Sequence, residues 1–220
     1  MDSISFMENE VQGREYWEAR PVTDEKKDWR DNADWIEGYW NSRSHLHRLL
    51  LLDELAKLPA FDSVLEVGCN CGPNLSLIQE RFKTPVLTGI DVNRDAVYLG
   101  EAMMPEVDFK VMGVEELAQF PDKSYDVVLA DAVLMYVSKE KIQEVVDHLV
   151  RIARKAIVLV EWEHASEEGV VENYHWARNY GALLGARGLE VRKVKIGKDF
   201  WPTKTWSELG YIYIGLSPQA

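Results

Sequence analysis

Apolar residues along most of this chain fall into two alternating patterns, short unbroken runs and longer stretches of helical period. The runs are Val64-Leu65-Glu66-Val67, Val86-Leu87-Thr88-Gly89-Ile90, Val107 to Met112, Asp126-Val127-Val128-Leu129-Ala130 and Ala156-Ile157-Val158-Leu159-Val160. Between them, Leu75, Ile78 and Phe82, then Ala96 to Met104, then Ile142, Val145, Val146, Leu149 and Ile152 give helical faces. Runs that do not alternate with polar residues are apolar on both faces, so the pattern predicts a parallel sheet covered by helices on both sides. Ahead of the first run, Leu46, Leu49, Leu50, Leu52 and Leu55 predict a helix from Ser44 whose stop is Pro59. Beyond the fifth run the expectation is a helix near Val171 to Leu184, a strand near Leu189 to Ile196 and a last strand at Tyr211 to Leu216.

The first 40 residues break the alternation. Trp17, Trp29, Trp35 and Trp40 stand among many charges with weak helical periodicity, which reads as an irregular arm that packs by its rings. The expected division is an aromatic arm or lid over residues 1–42 and a single domain over 43–220, a length that suits one core and is short for two.

Charge narrows the partners. The net charge of −12 weighs against a polymer held by its phosphates, since that grip comes from Lys and Arg. Arg187, Arg192, Lys193, Lys195 and Lys198 do cluster late in the chain, where a solvated strand face is the simpler reading. No apolar run approaches membrane-spanning length, and the acidic N-terminus lacks a basic-then-apolar design, so no membrane partner and a cytoplasmic location are expected. Cys69 and Cys71 are too close for an unstrained disulfide and too few for a closed zinc site, so both are expected to be small buried residues.

The unusual residues gather where strands end, the rim at which open parallel sheets bind ligands. After the first run comes Gly68-Cys69-Asn70-Cys71-Gly72-Pro73-Asn74, with two glycines for a sharp turn and a proline suited to the first helical position. After the second comes Asp91, an acid able to accept hydrogen bonds from both hydroxyls of a ribose. The third runs into Gly113-Val114-Glu115, and the fourth into Asp131.

These residues together resemble the class I S-adenosylmethionine-dependent methyltransferases. Val64 to Gly72 is similar to their glycine loop, Gly89-Ile90-Asp91-Val92-Asn93 to their ribose motif, and Ser124 to Leu129 with Val133 to Val137 to their fourth-strand motif. The resemblance spans residues 60 to 162 and implies a Rossmann-like sheet of seven strands, mostly parallel, with one antiparallel strand at Tyr211 to Leu216. It implies S-adenosyl-L-methionine as cofactor, with Gly68, Asn70 and Gly72 around the methionine part, Asp91 on the ribose, and Gly113, Val114 and Glu115 near the adenine. The backbone near Asp131 would face the methionine amino group. Trp17, Tyr39 and Trp40 would form a lid, and Arg43 would pair with the carboxylate. Two positions depart from the family pattern: Asn70 stands where glycine is common, and Gly113 where a polar residue is frequent. A nicotinamide dehydrogenase is the main rival for the loop, but its second glycine is Asn70 here and its third is Pro73. Glu66, two residues before Gly68, also suits a cationic ligand better than a pyrophosphate.

The cofactor supplies the electrophile, so catalysis needs alignment, exclusion of water and, for some acceptors, removal of a proton. Tyr136 and His164 are the candidate general bases, each with pocket lining as the plainer alternative. His45, His47 and His148 are expected on solvated helix faces, and Tyr174, His175, Trp176 and Arg178 on the predicted helix after Val171, where walling an acceptor pocket and packing are equal readings. The acidic chain and aromatic arm favour a small-molecule acceptor. A transferase acting on protein or tRNA, and a cofactor-binding module without chemistry of its own, are the alternatives.

Overall fold

The computed structural model describes residues 14, 17–18, 35–83, 86–166, 169–172 and 175–218. The five apolar runs form β1 (Ser63–Val67), β2 (Val86–Asp91), β3 (Asp108–Val111), β4 (Tyr125–Asp131) and β5 (Ala153–Trp162). Two 3-10 turns, Val114–Gln119 and Leu134–Tyr136, follow β3 and β4. After β5 come β6 (Val170–Glu172), β7 (His175–Ala177), β8 (Glu190–Lys195) and β9 (Gly210–Leu216). The helices are α1 (Trp35–Asn41), α2 (Leu46–Leu55), α3 (Pro73–Phe82), α4 (Arg94–Met103), α5 (Ile142–Ile152), α6 (Tyr180–Gly185) and α7 (Lys204–Leu209).

Seven strands make one sheet in the order β3-β2-β1-β4-β5-β9-β8. Its pairs are parallel from β3 through β5, and β9 runs antiparallel to both β5 and β8, so one strand alone is reversed. All five residues of β1 and the stretch Ala156 to Trp162 of β5 are buried, as two-sided cover requires. Two apolar clusters result, one on each face of the sheet. Leu75, Ile78, Val127 and Val158 belong to the first, and Leu65, Val128, Leu149 and Ile157 to the second. Strand order reverses between β1 and β4, which leaves a crevice above their carboxyl ends.

Four expectations need correction. The stretch read as a helix from Val171 begins instead as the β6–β7 hairpin, and helix starts only at Tyr180. Its start is set by Asn179, whose side chain accepts the Ala182 N–H at 2.9 Å. His175 and Trp176 therefore lie on a strand and Arg178 just beyond it, while Tyr174 lies outside the described residues. Within the arm, Trp35–Asn41 is helical rather than irregular; of residues 1–34 only Arg14, Trp17 and Glu18 are described. Helix α7, ahead of β9, has no counterpart in the expected elements.

The fourth correction concerns α2. Leu46 and Leu49 are half exposed, whereas His47, Arg48 and Glu54 are buried beside Leu51, Leu52 and Leu55. The helix docks with a polar stripe inward because charged and polar partners wait there: Asp131 and Asn74 for His47 and Arg48, and Arg192 for Glu54. His45 is partly buried with them, so two of the three histidines expected in solvent belong to the interior.

Candidate active site

The loop after β1 owes its shape to three consecutive alternate residues in the left-handed region, Gly68 (φ 71°), Asn70 (φ 51°) and Gly72 (φ 84°). Asn tolerates that conformation better than other side chains, which explains how it replaces a glycine here. Its own oxygen accepts the Cys71 N–H at 2.8 Å, and its backbone N–H donates to Asp91 Oδ2 at 2.8 Å. The ends of β1 and β2 are thereby tied together. Asp91 Oδ1 accepts the Asn93 N–H at 2.8 Å; burial outweighs these bonds and raises the Asp91 pKa. Cys69 and Cys71 are buried free thiols.

Beside the loop lies a polar cluster closed off from water. Asn74, in the first turn of α3, bridges two carboxylates by donating to Glu66 Oε1 at 2.7 Å and to Asp131 Oδ2 at 3.0 Å. Arg48 donates to Asn74 Oδ1 at 2.6 Å and to Asp131 Oδ2 at 3.1 Å, and His47 Nε2 lies 3.1 Å from the same Oδ2. Burial opposes ionisation of Asp131, but His47, Arg48 and Asn74 hold it well below the usual carboxylate range. Glu66 has no such cations in contact. Burial, with Asp131 and Asp91 nearby, pushes it up to about 8, against the pull of Asn74 and Arg48. Its Oε2 is buried without a hydrogen-bond partner.

The fourth strand end is clamped from two sides. Glu161 in β5 accepts the backbone N–H groups of Val133, Leu134 and Met135, at 2.9, 2.7 and 3.1 Å. Arg178, fully buried, donates to the carbonyls of Leu134 and Val137. Burial, helped by Asp131, raises Glu161 to about 8 despite its three donors. The clamp fixes the turn that carries Tyr136, whose hydroxyl lies 3.2 Å from His175 Nε2.

The segment after β3 is a 3-10 turn closed by Glu116, which accepts the Gly113 N–H at 2.8 Å. Val114 opens that turn, and Glu115 forms ion pairs with Arg14 at 2.9 Å and Lys141 at 3.4 Å. From the arm, the Trp17 carbonyl accepts from Asn93 Nδ2 at 2.6 Å, and its ring meets Tyr39 and Tyr136 edge-on. The described part of the arm thus touches the segments that follow the second, third and fourth strand ends.

Gly68, Asn70, Gly72, Asp91, Gly113, Val114, Glu115, Asp131 and Tyr136 therefore share one rim. Two candidates stand apart. Arg43 lies along α3, bonded to Ser76 at 3.1 Å and Glu80 at 3.4 Å with its guanidinium over Trp40. His164 is exposed past β5, its Nδ1 accepting the Ser166 N–H. Residues that sequence reasoning left out of the site, Arg48, His47, Asn74 and Glu161, are among its most buried, as is Arg178. A fit to a cation is visible in the donor set: a fully buried carboxylate oxygen lacks a partner, and three further acids lie along the rim.

Residues 64–156 match the family described as methyltransferase domain. The methyltransferase 235L of Invertebrate iridescent virus 6 is 25% identical over 188 residues, covering 76% of this chain and 70% of its own. An S-adenosylmethionine-dependent methyltransferase from Leishmania major shares the fold with a TM-score of 0.72 at 15% identity, over 95% of this chain and 83% of that one. The magnesium protoporphyrin IX methyltransferase of Synechocystis, solved with bound S-adenosylmethionine, does so with a TM-score of 0.62 at 16% identity, over 94% and 96%. Residues 64–156 thus carry a methyltransferase domain, and the sheet around them has the fold of S-adenosylmethionine-dependent methyltransferases. S-adenosylmethionine is the cofactor of this methyltransferase, and among its described residues no helix is long and apolar enough to cross a membrane.

Proposed function

We propose that this methyltransferase alkylates a small-molecule acceptor by direct displacement. The observation that carries the reading is the wall above the fourth and fifth strand ends. It is built from the rings of Trp17, Tyr136, His175 and Trp162, each in contact with the next. Rings from four separate segments, packed edge to face, suit contact with a compact acceptor better than a polymer groove. The late basic residues support the same reading, because carboxylates already neutralise three of them: Arg187 pairs with Asp147, Arg192 with Glu54 and Lys193 with Glu163. The Synechocystis relative is named for a small-molecule substrate, which agrees.

In this reading Gly68, Asn70 and Gly72 cradle the methionine part of the cofactor, and Glu66 with the Asp131 region receives its ammonium. Asp91 takes the ribose hydroxyls, and Gly113, Val114 and Glu115 border the adenine. Arg48 is better placed than Arg43 for the cofactor carboxylate, since it already sits between Asn74 and Asp131. Bound there, the cofactor supplies an activated methyl group. Tyr136, held by the Glu161–Arg178 clamp, lines the acceptor side, and the segment around Trp17 closes over the rim to exclude water. The site of action is the cytoplasm.

Release of S-adenosylhomocysteine, measured against a panel of phenols, carboxylic acids and amines, is expected to rise well above the acceptor-free rate for at least one compound. Stimulation by tRNA or protein alone would overturn the small-molecule assignment.

A further inference from the structure

Strand β3 ends the sheet on one side, and among the described residues its only strand neighbour is β2. Six large apolar side chains are exposed among those residues. Four of them, Val86, Tyr98, Met103 and Val111, belong to β2, β3 or the helix α4 that joins the two strands. On one face of β3, Phe109 is buried in the room that Gly72, Gly89 and Gly100 leave it. On the other face, Asp108 and Lys110 point away from that packing and pair with each other. An open strand accepts any extended chain unless something selects the partner. At β3 the order of backbone groups and charges selects one.

The Met112 N–H bonds to the Asp91 carbonyl at 3.0 Å. By the alternation of a strand, Met112, Lys110 and Asp108 turn their backbone groups toward β2, and Phe109 and Val111 turn theirs outward. A second strand adds only where its own outward groups meet these, which limits the registers open to it. For two copies related by a two-fold axis, the antiparallel registers that keep most of the strand are centred on Asp108, Phe109 or Lys110. Centring on Asp108 or on Lys110 sets two like charges directly opposite each other at the axis, which is destabilising. Centring on Phe109 sets Asp108 of each copy opposite Lys110 of the other. The two Phe109 residues then exchange both of their N–H···O bonds, and Val111 comes opposite Val107 on the helix-covered face.

We propose that this chain forms a symmetric dimer by antiparallel pairing of β3 with β3 of a second copy, centred on Phe109 and held in register by reciprocal Asp108–Lys110 ion pairs. Both copies present the same patch, so the contact closes on itself and does not propagate into a fibre. The ion pair within each strand is exchanged for pairs across the axis between the same charges. Tyr98 and Met103 lie exposed on the helix that packs over the joined strands, where a short ladder needs further apolar area. Because the paired strands run in opposite directions, the two rims open at opposite ends of the continuous sheet, and neither blocks the other.

Sedimentation equilibrium of the full chain is expected to show a reversible monomer–dimer equilibrium, and hydrogen exchange at the Phe109 and Val111 amides should slow as the dimer fills. Lys110→Asp and Asp108→Lys each set like charges opposite one another on both sides of the axis. Each is expected to weaken dimerisation roughly tenfold or more. Mixing the two variants should restore association as a mixed dimer, because one copy then brings only acids to the facing positions and the other only bases. The chain that carries Asp108→Lys and Lys110→Asp together should dimerise like the wild type. A wild-type chain that stays monomeric at every concentration overturns the proposal. So does a dimer that the single variants leave intact, or a loss that neither mixing nor the double exchange restores.

Discussion

Strand β4 carries an aspartate near each end, each met by three polar partners and each lowered in pKa, but the acids around them differ. At the entry, Asp126 is complete: its oxygens accept the Asp62 N–H at 2.9 Å, Arg154 at 2.7 Å and Lys155 at 3.2 Å. Burial would raise its pKa, but these donors pull it below the usual value. At the exit, Asp131 shares its surroundings with Glu66 and Glu161, both pushed up to about 8. Like charges in a buried space cost stability, and nothing in the fold of β4 requires them, since the entry end shows how the same strand pairs an acid fully. Such crowding persists where a ligand cation completes the set. One edge of the sheet is built to hold it together, and the other is left unfinished.

The sharpest way to break this comparison is to block the unfinished edge. A Cβ at Gly68 would stand 2.2 Å from Val133 Cγ2, at a φ of 71° that branched side chains avoid. Gly68→Val is expected to abolish detectable S-adenosylmethionine binding by calorimetry. A variant that folds and binds as before would place the cofactor elsewhere.

The next test sets one edge against the other. Asp91→Ala is expected to weaken S-adenosylmethionine by more than ~1.5 kcal/mol, about tenfold, the scale of hydrogen bonds to a charged group. Asp126→Ala should instead lower unfolding stability by about 2 kcal/mol while leaving the Kd unaltered. If Asp126→Ala weakened binding as much as Asp91→Ala, the division of labour between the two edges would not hold.

The edges also differ in how far the sequence reveals them. Strands β1 to β5 were legible because unbroken apolar runs have few other uses, and the residues at or just past the ends of the first four, Gly68, Asp91, Gly113 and Asp131, then followed from position alone. The rim was readable along the chain; its depth was not. His47 and Arg48 sit on a helix whose leucine spacing by itself marks a different buried face. Only the docking of α2 against Asn74 and Asp131 turns the polar stripe inward. A signal was present in His45, His47 and Arg48 crowding the start of an otherwise leucine-rich helix. Glu161, and the clamping role of Arg178, were hidden for a similar reason, since each answers backbone groups of a turn that lies distant in sequence. The hairpin at Val170 to Ala177 is too short for periodicity to separate from a helix start.

A smaller effect is expected at the arm. Trp17 is held by its carbonyl on Asn93 and by ring edges against Tyr39 and Tyr136. Trp17→Ala should weaken S-adenosylhomocysteine by about 1 kcal/mol, the scale of such ring contacts, and speed hydrogen exchange at the amides of Trp17 and Glu18 in the bound state. Equal affinity and equal exchange would leave the ring as surface packing, with no part in closing the rim.

The smallest effect, and the most specific, is a pH slope at Glu66. Its folded pKa, about 8, lies above its unfolded value near 4.5, so between these values the folded chain binds more protons than the unfolded one. Stability from this group is then fully present below about pH 4.5 and falls as pH rises through 8. Asp126, with its pKa lowered, has the opposite sign: its contribution is present above its unfolded pKa near 3.9 and is lost in acid. Glu66→Gln should therefore gain stability relative to the wild type at pH 8 and little or none at pH 5, in thermal melts of the free protein. Bound cofactor should reverse the ranking, because its ammonium would draw Glu66 into the ionised form and release a proton on binding. Calorimetry of S-adenosylmethionine in two buffers of different ionisation enthalpy reads that proton directly. A binding heat independent of the buffer would mean that the cation never meets Glu66, and the unpartnered oxygen would then need another explanation.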